Sequence, residues 1–135
     1  MPDTDRLRSM APSLWGAAVG ALFGLQGLWA FVSPQSWFDA LAVFEPFNKH
    51  FIRDIGTFQV GLAVAGILGA LRVRAVVVGL GALAAFQVLH VASHGIDRDA
   101  GGRPGFDIPA LSLLAATTVV ALVLAWRAPA DSVDA

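Results

Sequence analysis

The sequence predicts an all-α membrane protein, a transmembrane four-helix bundle with a short interfacial helix between helices 1 and 2. Three observations point there. Hydrophobic residues make up 56% of the chain and charged residues 14%, against roughly 25% charged in soluble domains. Apolar runs close to the roughly 20 residues that a bilayer requires occur four times, over about 13–32, 50–71, 75–95 and 108–126. The breaks between them hold proline, glycine and charge. At 135 residues the chain is one domain.

Met1 to Pro12 reads as a short polar tail, expected to be disordered. The first span, Ser13 to Val32, is longer than the apolar part of a signal peptide. No clean small-x-small cleavage site follows it, so it reads as a membrane anchor. Gly16, Gly20 and Gly24 recur every four residues, which lets another helix approach closely. Packing within the bundle is the plainer reading of that stripe, and a homo-oligomer seam is the sharper one. Gln26, the strongly polar side chain of this span, is expected to hydrogen-bond a neighbouring helix.

Ser33-Pro34 ends the first helix. Ser36-x-x-Asp39 resembles a capping box for a short helix over 36–45, which carries Trp37, Phe38, Leu41 and Phe44 and should lie in the interface. Asn48 is a suitable N-cap for the second span. Gly61-x-x-x-Ala65 offers that span a small-residue contact. Arg72 and Arg74 flank a tight turn into the third span. A polar, Gly-rich loop from Ile96 to Phe106 follows. Asp107 is expected to cap the fourth span, with Pro109 in its first turn. Thr117 and Thr118 can bond back to their own helix. Arg127 and an acidic tail close the chain.

Composition also excludes. With no cysteine, the chain has no disulfide framework, thiolate metal site or CxxC redox chemistry. A net charge of −1 gives no basic field for nucleic acid. The first span lacks the membrane-embedded acid of small multidrug exporters. Richness in Ala, Gly, Val and Arg with a single Lys suggests a high-GC bacterium, hence an inner membrane. Four spans put Arg6, Arg8, Arg72, Arg74 and Arg127 on one side, against Lys49, Arg53, Arg98 and Arg103 on the other, which places the termini in the cytoplasm. Trp15 with Trp126, and Trp29 with Trp37, then mark the two interfaces.

The hairpin of spans two and three holds a polar ladder. His50, Asp54, Thr57 and Gly61 share one face of the first arm. Leu83, Gln87, His90, His94 and Asp97 share one face of the second. Folding the hairpin about Arg72 brings His50 level with His94, Asp54 with His90, and Thr57 with Gln87. A carboxylate in hydrocarbon needs a partner, and Asp54 could share a proton with His90. His50, Arg53, Asp54, Gln87, His90 and His94 are therefore the candidate ligand-binding or proton-linked residues, suited to a quinone, lipid or small solute. His90, His94, His50 and Asp54 could instead complete four metal ligands, and His50 with His94 an axial haem pair. Both rank below the small-molecule site. HExxH is absent, so a zinc protease is not supported. The plainest alternative is that the ladder only holds two helices together.

The stretch Asn48-Lys-His50-Phe-Ile-Arg53-Asp54-Ile-Gly56, followed by Gly61, resembles the "N-x-H-x-x-R-D-x-G" segment of small four-helix membrane proteins of actinobacteria. Their third helix likewise often ends in a His-x-x-x-His segment, as at His90 and His94. These proteins are similar in layout to the DoxX-like group. The resemblance covers most of the chain. It implies a four-helix integral membrane fold and carries no catalytic role. The sequence thus leads to a small polytopic membrane protein with a His/Asp/Arg pocket near the outer face. A structural or partner-binding subunit is second, and a metal-binding membrane enzyme third.

Overall fold

The computed structural model describes residues 2–42, 44–72, 75–100 and 102–128, with side chains from Met10 onward. The expectations that rest on the side chains of Arg6 and Arg8, on Arg74, and on the acidic C-terminal tail lie outside the described residues. The chain is all-α: α1 Pro2–Val32, the short α2 Pro34–Trp37 continuing as a π-helical turn over Phe38–Ala42, α3 Lys49–Leu71, α4 Val76–Ile96 and α5 Pro104–Arg127. Four helices contain apolar segments of 21 to 24 residues, long enough to cross a membrane. At about 1.5 Å per residue each covers the roughly 30 Å hydrocarbon core. Their outer faces are apolar, as at Leu25 and Leu28 on α1, Leu68 on α3, Leu89 on α4 and Leu113 on α5. This is the surface of a multi-pass membrane protein.

Local chemistry accounts for the helix ends. Asn48 caps α3, its side-chain oxygen accepting from the backbone N–H groups of His50 and Phe51 at 3.0 and 3.1 Å. α1 begins at Pro2 rather than at Ser13, so the expected disordered tail is helical from Pro2 onward. Pro2 is tolerated in the first turn, where no N–H is needed, whereas Pro12 falls inside the helix and withholds one backbone hydrogen bond there. α5 begins one turn before Asp107, because Pro104 takes the first-turn position. Asp107 reaches back instead, its Oδ2 accepting from the Arg103 N–H at 2.7 Å. Pro109 accordingly falls inside the helix.

The linker between α1 and α3 also departs from expectation. Ser33, followed by Pro34, starts the short helix. The Ser36 hydroxyl accepts from the Trp29 indole N–H at 3.2 Å, and Asp39 accepts from the Gln35 side chain at 2.8 Å, so there is no capping box. Trp37, Phe38 and Ala42 are buried against Ala30 and Ile52. The segment folds onto the bundle as a cover for one end, burying the Trp37 and Phe38 rings there.

Small residues set the helix pairing. α1 and α3 are antiparallel and nearly in backbone contact. A Cβ on Gly20 would lie 3.1 Å from the Ala63 carbonyl oxygen, and one on Gly66 would lie 2.9 Å from the Gly16 oxygen. The Gly16–Gly20–Gly24 stripe thus packs against α3 of the same chain. Gly69 and Gly79 bring α3 and α4 together beside their turn. Gly61 meets no neighbour, so the expected Gly61–Ala65 contact is replaced by Ala65 alone, whose carbonyl faces Gly79. Near that turn the core closes with Val76, Leu80 and Ala121 around Trp15, whose indole donates to the buried Thr118 hydroxyl at 3.1 Å. Thr118 also bonds back to the Leu114 carbonyl, and Thr117 to those of Leu113 and Leu114.

Candidate functional site: a cavity under the cover helix

α3 and α4 touch at Gly69 and Gly79 beside their turn, and a cavity of about 470 Å³ lies toward the opposite end of the bundle. This falls in the roughly 300–1,000 Å³ range of small-molecule sites. Its floor is Phe23 against Phe86, edge to face with ring centroids 5.3 Å apart. Trp37, Leu41 and Phe44 come from the cover segment, and Phe106, Asp107 and Leu111 from α5. Leu22, Phe58 and Phe106 line the cavity and are also exposed on the outside, Phe58 at 72% and Phe106 at 70%. The cavity therefore opens through apolar side chains.

The wall carries neutral polar groups. Gln26 comes from α1, Gln59 from α3 and Gln87 from α4, one amide from each of three spans. Gln59 and Gln87 are 7% and 3% exposed, and Trp37 7%. Among the described residues, Gln59 Oε1, Gln87 Oε1, Gln87 Nε2 and Trp37 Nε1 have no hydrogen-bond partner. A buried polar group without a partner costs about 1–3 kcal/mol, and native folds rarely keep such groups. Here all four atoms belong to side chains that line one space. His90 and His94 line it too, with His90 stacked on Phe86 at 5.4 Å and edge-on to His94 at 4.8 Å between ring centroids.

The structure separates the candidate residues into two groups. Gln87, His90 and His94 meet at the cavity. His50, Arg53 and Asp54 do not join them. His50 Nε2 lies 3.6 Å from Asp54 Oδ2, one turn along the same helix, and these side chains are 89% and 48% exposed. Arg53 donates through Nε to the Phe31 carbonyl at 3.1 Å, satisfying an open carbonyl at the end of α1, and lies 5.9 Å over the Phe31 ring. The Thr57 hydroxyl donates to the Asp54 carbonyl. The expected Asp54–His90 pair is not formed, since among the described residues the Asp54 carboxylate lies beside His50.

The reason is rotational. The buried positions of α3 from Ile52 to Gly66 are Ile52, Gly56, Gln59, Ala63 and Gly66, followed by Gly69; the first four are spaced four, three and four, as the polar set His50, Asp54, Thr57 and Gly61 is. The two sets are offset by two residues, about 200° around the helix. Among the described residues no three His, Asp or Glu side chains gather to hold a metal ion, so the set of His90, His94, His50 and Asp54 is not assembled.

Sequence reasoning passed over Gln59 and placed Trp37 in an aromatic belt. The signal that could have found the site is the single glutamine in each of the first three spans. Comparisons of the chain with protein families, with curated proteins and with solved structures return no match.

Proposed function

We propose that this chain is a multi-pass protein of the bacterial inner membrane that binds a small, lipid-like ligand in the cavity beneath the cover helix. The termini are cytoplasmic and the cavity lies toward the outer face, in a layout similar to the DoxX-like group. The observation that carries this reading is the meeting of three buried polar side chains, Trp37, Gln59 and Gln87, with unpartnered atoms around one largely apolar space. A ligand's polar head would supply the missing hydrogen bonds as these side chains turn toward it, and the apolar wall would take its chain. His90 and His94, on the same wall, are the groups through which binding would couple to protons. The reading of these groups as glue between α3 and α4 has less support, because the Gln59 and Gln87 amides do not bond each other.

The test is quenching of Trp37 fluorescence in lipid nanodiscs by a single-chain lipid brominated in mid-chain. Trp37 is buried, whereas Trp29 and Trp126 are exposed. Entry of the chain into the cavity adds a quenched component that disappears in Trp37→Phe. Quenching that is identical in the wild type and in Trp37→Phe would contradict the proposal.

A further inference from the structure

The unpartnered atoms specify the kind of head group. Two are acceptors that need a donor, Gln59 Oε1 and Gln87 Oε1. Two are donors that need an acceptor, Gln87 Nε2 and Trp37 Nε1. None of these side chains is charged. Among the described residues the carboxylate on the wall is Asp107, which already accepts from the Arg103 backbone N–H at the start of α5.

We infer that the cavity takes an uncharged single-chain lipid whose head both donates and accepts hydrogen bonds, of the monoacylglycerol or fatty-amide class, seated on Gln59, Gln87 and Trp37. The inference rests on the reading of the cavity as a ligand site and narrows it. An ionised carboxylate, sulfate or phosphate head presents only lone pairs, and would set them against the two amide oxygens with no cation among the seating groups; a fatty acid meets the same requirement only as its protonated, uncharged form. A trimethylammonium head has neither an N–H for those oxygens nor an acceptor for the indole and amide donors. A methyl ester accepts but cannot donate. A hydroxyl or carboxamide does both.

A lipid source follows from the rim. Leu22, Phe58 and Phe106 belong at once to the cavity wall and to the exposed apolar surface, so the route in runs through hydrocarbon. The volume equals the liquid share of on the order of fifteen waters, so it has room for part of a chain as well as a head.

The experiment is native mass spectrometry of the full chain with four probes that share one chain length and double bond: monoolein, oleamide, methyl oleate and the permanently anionic oleyl sulfate. Monoolein and oleamide are expected to bind the wild type about tenfold or more tighter than methyl oleate and oleyl sulfate, since the latter leave buried groups unmatched. That preference should vanish in Gln59→Leu/Gln87→Leu. The comparison within the wild type reads the head group without relying on any variant to fold. Equal binding of all four probes, or tightest binding of oleyl sulfate, would overturn the head-group assignment while leaving the cavity a ligand site. Binding of none would overturn the ligand site itself, and the head-group assignment with it.

Discussion

Gly27 of α1 and Gly56 of α3 cross with almost nothing between them: a Cβ added to either would lie 2.7 Å from the carbonyl oxygen of the other. In lipid there is no hydrophobic drive to bring helices together, so close backbone approach and packing must do it. This crossing sets where α3 rotates, and so which of its faces meets the cavity. Ile52, Gly56 and Gln59 turn inward with it, and Asp54 turns away.

The crossing predicts a graded response to substitution at glycine. Gly56→Leu and Gly20→Leu should each destabilise the monomer by about 1–3 kcal/mol, the cost of overpacking a closed contact. Gly61→Ala, at a position with no neighbour within 4 Å, should be neutral or stabilising by up to about 1 kcal/mol through helix propensity. Thermal unfolding in detergent measures all three. A weakened oligomer with an unchanged monomer in Gly20→Leu would show that the stripe packs against a second copy instead.

Asp54 and His90 should behave as independent sites. Asp54→Asn is expected to cost no more than about 1 kcal/mol, the range of exposed ion pairs. The double variant Asp54→Asn/His90→Ala should equal the sum of its singles within about 0.5 kcal/mol. A double-mutant cycle checks this, and a coupling well above that limit would restore the cross-helix pair.

What the sequence made legible, and what it did not, divides along the same hairpin. The four spans, the Asn48 cap and the back-bonding threonines follow from composition and local chemistry, and the structure has them. On α4 the periodic set through Leu83, Gln87, His90 and His94 runs along the inward face. On α3 the matching set through His50, Asp54 and Thr57 does not. Periodicity identifies residues that share a face but is silent on which face turns inward, and on α3 the glycine crossing with α1 decides that. Trp37 was hidden for a related reason. A four-residue helix with a π turn has too little length for a pattern, and its burial depends on contacts with Ala30 and Ile52.

Topology can be read with reporters. A fusion after Ala128 should report the cytoplasm, and an insertion at Asp99 in the α4–α5 loop should report the outer side. Both signals on the same side would break the four-span arrangement, and the reverse pattern would invert the cavity toward the cytoplasm.

The central claim is that the cavity's amides serve a ligand and not the fold. The most direct measurement is thermal unfolding of Gln59→Leu/Gln87→Leu beside the wild type, each with and without added single-chain lipid. Without ligand the double variant should unfold at the same temperature or higher, because apolar side chains replace polar groups that have no partners. The wild type should gain stability from the lipid, about 2.7 kcal/mol at a hundredfold excess over Kd, and the variant should gain none. A double variant that is markedly less stable without ligand, or that gains as much from the lipid as the wild type does, would contradict the account.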